Sequence, residues 1–224
     1  QLHLPPSSSV LEVGCGTGAS IHELLLPHYR RCFGIDINPK YLFYAKHILP
    51  EARLSQADAH HLPFADHSFD LCLCHFLLLW VARPIPALSE MVRITRSGGF
   101  VLALAEPDHG SRIDFPPELS IVGKWQSESL LRQGATPTLG RQLRALLSRC
   151  GLIDVHAGVL GGEWSNTYDD NEFISEWDTL RSDLADDTDK LAQLPHLMQI
   201  DAKARELGER ILFVPTFYAW GRVP

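Results

Sequence analysis

Short apolar runs alternate with helical stripes along this chain. Val10, Leu11 and Val13, broken only by Glu12, have the pattern of a short buried strand. The glycine-rich turn Gly14-Cys15-Gly16-Thr17-Gly18 follows at once, and Ile21, Leu24 and Leu25 then recur at helical spacing. The alternation continues. Residues 32–38 predict a second strand, and Asn38-Pro39 a helix start for residues 41–49, stopped by Pro50. Residues 52–56 predict a third strand, and residues 69–76 a fourth whose near-continuous apolar character suits cover on both faces. Residues 84–93 predict a helix with Ile85, Leu88 and Val92 on one face, and residues 100–105 a fifth strand. Beyond Gly110 the pattern loosens. Residues 112–117 read as a proline-rich loop, 118–133 and 141–150 as helices, and 152–160 as a sixth strand. Gly161-Gly162-Glu163-Trp164 reads as a flexible junction. Residues 170–184 and 189–207 predict amphipathic helices, the second interrupted near Pro195, and residues 211–220 a last strand.

Alternating strands and helices predict an α/β fold. Glycines between a strand and a helix let the backbone turn sharply and a ligand approach closely, next to the free N–H groups of the helix start. Asp36 closes the second strand about 20 residues further on, where an acid can accept hydrogen bonds from ribose hydroxyls. These features call for an adenosine-type ligand. Gly14-x-Gly16-x-x-Ala19 also fits the dinucleotide fingerprint, so NAD is a candidate alongside other adenosine cofactors.

Glu12-Val13-Gly14-Cys15-Gly16-Thr17-Gly18 resembles the first motif of class I S-adenosylmethionine-dependent methyltransferases, and three further segments match that family in order. Asp36 matches its ribose-binding acid. Gln56-Ala57-Asp58-Ala59-His60-His61-Leu62-Pro63-Phe64 matches the segment that reads adenine, and Arg96-Ser97-Gly98-Gly99-Phe100-Val101-Leu102 the glycine pair leading into the fifth strand. The resemblance is close over residues 8–106 and loose beyond. It implies a doubly wound, mostly parallel seven-stranded sheet with an antiparallel last strand and helices on both faces. A helical insertion, about 161–210, would precede that strand. It implies one domain over 1–224, with 1–106 as the cofactor-binding half and 107–224 on the acceptor side. The implied cofactor is S-adenosyl-L-methionine, giving S-adenosyl-L-homocysteine. The residues implied to bind it are Glu12, Gly14, Cys15, Gly16, Gly18, Asp36, Ile37, Asp58, Ala59, Cys74 and His75.

Composition narrows the partners. Of 224 residues, 45% are hydrophobic, and the net charge of −7 comes without a long basic block, so broad nucleic-acid affinity is not expected. A small-molecule acceptor is favoured, with a protein or an RNA loop as the alternatives. The apolar stretch 76–81 is too short to span a bilayer, and no stretch reads as a signal peptide. Five cysteines, an odd number without zinc spacing, read as reduced thiols in the cytoplasm. Cys72 and Cys74 should share one buried strand face as small apolar groups.

Catalytic chemistry is less legible. His75, at the end of the fourth strand, is either a base or a packed strand-end histidine. Trp80 either walls the cofactor pocket or caps the core. Glu106, Asp108 and His109 follow the fifth strand and read either as acceptor contacts or as a proline turn with solvated charges. Arg141, Arg144 and Arg149 read as a solvated face or an anion contact. Methyl transfer needs no obligatory acid–base pair, so no residue is assigned a catalytic role. An NAD-dependent oxidoreductase and a non-catalytic cofactor-binding protein are the alternatives.

Overall fold

The computed structural model describes residues 4–163 and 170–224; Trp164, the last residue of the expected junction, lies outside them. In chain order the strands are β1 (Ser9–Val13), β2 (Arg31–Asp36), β3 (Arg53–Gln56), β4 (Phe69–Cys74), β5 (Thr95–Pro107), β6 (Ile113–Phe115), β7 (Ile153–Leu160), β8 (Ile211–Phe213) and β9 (Thr216–Arg222). The α-helices are α1 (Pro39–Ile48), α2 (Pro84–Ile94), α3 (Ser120–Arg132), α4 (Leu143–Arg149), α5 (Asp170–Asp183) and α6 (Thr188–Glu206). They build two compact units.

The first unit comprises Gln1–Pro107, Leu139–Leu160 and Thr216–Pro224. It holds a seven-stranded sheet in the order β3-β2-β1-β4-β5-β9-β7. The first five strands run parallel, and β9 runs antiparallel to both of its neighbours. This is the doubly wound arrangement that the family resemblance implies. Every residue of β1 and β4 is buried, so the sheet centre is covered on both faces. Val10, Leu71 and Leu73 pack with Ile21, Leu25, Leu42, Ala45 and Leu49 on one side. Strand alternation turns Leu11, Cys72 and Cys74, each fully buried, to the other. Asn38 caps α1 by accepting from the Lys40 N–H at 3.0 Å, and Pro39 supplies a preset first-turn dihedral.

The sheet's order places the ends of β1, β2 and β4 side by side, and the strand order reverses between β1 and β4. Ligands of open α/β sheets bind at such a reversal. The helix expected after the glycine turn is short and wide. Its described core is a π-type turn, Ile21–Leu25, in which the Leu26 N–H reaches back to Ile21 O at 2.9 Å. The glycine pair lies inside β5. A Cβ on Gly99 would come within 2.8 Å of the Asp70 carbonyl oxygen on β4, so only glycine lets the two strands approach there.

The second unit comprises Asp108–Thr138 and Gly161–Pro215. Its helices α3, α5 and α6 share a core of Val122, Trp125, Trp177, Leu180, Leu194 and Leu197. Three expectations are corrected here. The expected loop 112–117 contains β6, which pairs antiparallel with β8. The single last strand expected over 211–220 is two strands. Val214 and Pro215 separate β8, in this small sheet, from β9, in the large one, because proline cannot continue a ladder. Helix α6 runs unbroken through Pro195, held by buried Leu194 and Leu197 on either side. Among the described residues no helix is long and apolar enough to cross a membrane, and no cluster could hold a metal ion.

Candidate cofactor site

The glycine turn is built by backbone geometry. The amides of Gly14 and Cys15 both donate to Ile35 O at 2.8 Å, which ties the turn to the end of β2. Gly14, Gly16 and Gly18 all adopt left-handed backbone conformations, with φ of +74°, +52° and +87°. Their surroundings differ. A Cβ on Gly14 would lie 2.7 Å from Leu77 Cδ1, whereas one on Gly16 would meet no atom within 4 Å. A side chain at Gly14 would therefore have to displace Leu77. Gly16 faces open space, where a side chain would obstruct only something that comes to sit there.

Asp36 is almost fully buried at the end of β2. Its Oδ2 accepts from the Gly16 N–H and its Oδ1 from the Asn38 N–H, both at 2.8 Å. The acid thus braces the glycine turn as well as standing at the expected ribose position. Each oxygen keeps a second lone pair for a ligand hydroxyl. The next residue, Ile37, is 65% exposed, an apolar surface beside a carboxylate. Asp58 lies on the loop after β3. Its Oδ1 accepts from the His60 N–H at 2.9 Å and pairs with His60 Nδ1 at 2.7 Å. These bonds hold the Asp58 carboxyl below its usual range, so it stays an acceptor.

Glu12 was legible as part of the motif, but its electrostatics were not. It is 1% exposed, and its Oε2 has no hydrogen-bond partner. Burial raises its pKa to about 8, opposed by a bond from Ser20 and reinforced by the Asp36 charge. Ser20 Oγ also lies 2.9 Å from His75 Nδ1. When Glu12 is ionised the Ser20 hydroxyl donates to it, so Ser20 must accept from Nδ1–H, leaving His75 Nε2 bare. His75 is half-buried, and burial lowers its pKa, which favours the neutral ring. Ser20, 55 residues from His75, was not among the expected site residues. Its position in the first helical turn after the glycines was the available signal.

A raised carboxyl pKa predicts a pH dependence with a definite sign. Between its usual value of 4.5 and about 8, folded Glu12 holds a proton that the unfolded chain has lost. Its stabilising contribution is complete below 4.5 and disappears as pH rises through 8. Glu106 acts in the same direction, but only up to about 7. From pH 7 to 8 the ligand-free chain should therefore lose about 1 kcal/mol that a Glu12→Gln variant keeps. Urea titrations of both chains at the two pH values check this. Equal losses would place the titration elsewhere.

The remaining site residues divide by what their side chains can reach. Cys74 is fully buried and Cys15 nearly so, and burial pushes the Cys15 thiol up to about 12. A Cβ on Gly34 would touch Cys15 Sγ at 2.9 Å, so this thiol points into the core. Of the expected cofactor contacts, both cysteines can contribute through backbone only. Comparison with known proteins then shows what the chain is similar to. Residues 11–103 match the family described as methyltransferase domain. A phosphatidylethanolamine N-methyltransferase of Cereibacter sphaeroides is 38% identical over 99 residues, 42% of this chain and 48% of that protein. A malonyl-[acyl-carrier protein] O-methyltransferase of Yersinia pestis is 36% identical over 94 residues, 42% of this chain and 34% of that protein. The chain thus spans a third to a half of the length of these curated relatives. A phosphoethanolamine N-methyltransferase of Haemonchus contortus, solved with S-adenosylhomocysteine, superposes with a TM-score of 0.62 at 14% identity, covering 99% of this chain and 50% of that one. That likeness establishes the fold.

The chain thus has the fold of the class I S-adenosylmethionine-dependent methyltransferases, and its residues 11–103 match a methyltransferase domain.

Within this methyltransferase fold, Glu106 corrects an expectation. It is neither solvated nor open to a substrate but fully buried. Its Oε1 accepts from the amides of Leu77 and Leu78 at 3.0 and 2.7 Å, and its Oε2 from Leu79 at 3.1 Å. One carboxylate thus caps the helical turn Leu78–Trp80 that follows β4. Burial raises its pKa to about 7 against those three donors. Asp108 is buried too, at 1% exposure. The turn that follows β4 is therefore held by a carboxyl group of β5. Trp80 is 48% exposed, so it is not a core cap.

Proposed function

We propose that this chain transfers the methyl group of S-adenosylmethionine to a nucleophilic atom of a small-molecule acceptor by in-line displacement. The observation that carries the reading is the open, left-handed Gly16, whose amide donates to the bracing acid Asp36, together with Glu12 on the preceding strand, a buried carboxyl group with one unpartnered oxygen. Such a cradle fits a cofactor with a cationic amino-acid part joined to a ribose. Glu12 Oε2 would meet the ammonium group, and ion pairing there would offset the burial that now keeps Glu12 protonated. Asp36 would hold the ribose hydroxyls. Asp58 and the Ala59 amide would address the adenine, with Ile37 as its apolar support. The remaining site residues act through the backbone of Gly14, Cys15, Gly18 and Cys74, and through His75.

When bound, the cofactor supplies an electrophilic methyl group on a sulfonium. The chain's part is to align a nucleophile with that carbon and to exclude water. The nucleophile–carbon bond forms as the carbon–sulfur bond breaks. A base is needed only where the acceptor's proton is hard to lose. His75, neutral and with a bare Nε2 once Glu12 ionises, is the group at this edge suited to take it.

A small acceptor accords with the net charge of −7. The Yersinia and Cereibacter proteins act at oxygen and nitrogen respectively, so similarity does not select the atom. All five cysteines are free, including buried Cys72 and Cys74 two positions apart, which accords with a reducing, cytoplasmic setting. Residues 1–106 would form the cofactor half of one methyltransferase domain, with 107–224 on the acceptor side.

Calorimetric titration with S-adenosylmethionine, S-adenosylhomocysteine and NAD tests the proposal. Saturable one-to-one binding is expected for the first two and none for NAD. Binding of NAD alone would move the chain to the oxidoreductases, and binding of none would remove the cofactor reading.

A further inference from the structure

The second unit contains a cavity of about 380 Å³, within the range of small-molecule sites. All its lining residues belong to this unit, none to the glycine turn. Its two walls differ in chemistry. One is apolar, with Leu119, Val122, Leu180 and Leu212 around the ring of Trp177. The indole N–H of Trp177 donates to Asp201 Oδ2 at 2.9 Å, which fixes the ring as a flat surface.

The other wall is ionic, formed by Arg112, Glu176, Asp201 and Arg210, and its charges cancel against Asp114 and Arg205 behind it. Arg112 grips Asp114 through two bonds, at 2.7 and 3.0 Å. Arg210 bridges Asp114 at 2.9 Å and Asp201 at 2.5 Å. Arg205 joins Asp201 at 3.3 Å to Glu176 at 2.6 Å. Three arginines face three carboxylates, and Arg112, Asp114, Asp201 and Arg210 each have side chains under 10% exposed. A charged ligand would have to break a buried pair, which costs far more than it returns.

One lining group is not absorbed by this network. His109 lines the cavity, but its Nδ1 is buried without a hydrogen-bond partner and closed to water, so a ligand reaches it only once the ring turns. Burial and the neighbouring Arg112 lower its pKa to about 4, so the ring is neutral at pH 7. A buried polar nitrogen left unpaired costs stability, and a ligand group bonded to it recovers that cost. A hydroxyl suits either imidazole tautomer, because it can both donate and accept.

We propose that this cavity is a binding site for an uncharged, largely aromatic or aliphatic molecule bearing a hydroxyl group, which His109 recognises while Trp177 and the leucines hold its body. The site is separate from the glycine turn and does not depend on the methyltransferase reading.

The test is calorimetric titration of the full chain with 1-naphthol, 1-naphthoate and 1-naphthylmethylamine at pH 7, with and without saturating S-adenosylhomocysteine. 1-Naphthol should bind one-to-one with a Kd below about 1 mM. The anion and the cation should bind at least about tenfold more weakly. Affinity for 1-naphthol should survive saturation with S-adenosylhomocysteine. His109→Phe, which keeps a ring but removes the nitrogen, should weaken 1-naphthol binding roughly five- to tenfold without lowering the thermal midpoint. Val122→Trp should abolish binding by filling the space; thermal unfolding shows whether that variant is folded, and His109→Phe decides if it is not. Absence of 1-naphthol binding, tighter binding of either ion, or undiminished binding by His109→Phe would each overturn the proposal. Failure here while S-adenosylhomocysteine still binds would leave the methyltransferase reading untouched.

Discussion

Replacing Gly16 by valine should abolish S-adenosylhomocysteine binding in a chain that still folds. Two costs separate cleanly at this position. The first is conformational. Gly16 has φ of +52°, a left-handed conformation that costs an L-residue roughly 1–2 kcal/mol and a β-branched one towards the upper end. For a chain of this size that lowers the thermal midpoint by only several degrees. The second cost falls on the ligand. An added Cβ would meet no protein atom within 4 Å, so the new methyl groups would occupy only the space in front of the turn. If the cofactor lies there, affinity should fall at least about a hundredfold, or 2.7 kcal/mol. Gly14 provides the contrast. Its added Cβ would strike Leu77, so substitution there should lower stability as well as binding. Calorimetry and thermal unfolding on the same samples test both statements. A folded Gly16→Val chain that binds within threefold of the parent would show that the cofactor does not approach this glycine.

Much of this site was legible because its signals are local. β1, the glycines and Asp36 follow one another within a short stretch, and each is specified by its own type: apolar runs for strands, missing Cβ atoms for the turn, an acid at a strand end. What escaped depends on contacts between distant positions. Glu106 looked like a loop acid near a substrate. Its role as the cap of the turn after β4 appears only when β5 lies beside β4 and brings the carboxylate under Leu77, Leu78 and Leu79. The Glu12–Ser20–His75 chain likewise joins the first strand to the fourth. Residues 211–220 read as one strand because both halves are rich in strand-forming residues. Pro215 carried the only local hint of a break, and the partner of the first half, β6, is too short to show a period. Pro195 misled in the opposite direction, since tertiary packing overrides propensity within α6.

Asp36 is where the structure changes the experiment that the sequence suggests. If Asp36 were a ribose contact alone, its removal should weaken binding and leave the sheet intact. The structure shows the carboxylate accepting from the amides of Gly16 and Asn38 while 9% exposed. Asp36→Ala therefore strands two backbone donors, at about 1–3 kcal/mol for each that water cannot reach. It should destabilise the turn and weaken S-adenosylhomocysteine together, which confounds the two effects. Asp36→Asn separates them. The amide oxygen can keep one backbone bond, and the amide nitrogen can still donate to a hydroxyl oxygen but cannot accept from one. Stability should then fall by about 1 kcal/mol. Affinity should fall about ten- to a hundredfold, because charge-assisted bonds to the ribose are lost. Adenosine, which retains the ribose but lacks the amino-acid part, should show the same ratio between parent and variant. A folded Asp36→Asn chain with unchanged affinity would reduce Asp36 to a brace for the glycine turn. An affinity loss confined to S-adenosylhomocysteine and absent for adenosine would shift its role from the ribose to the amino-acid end.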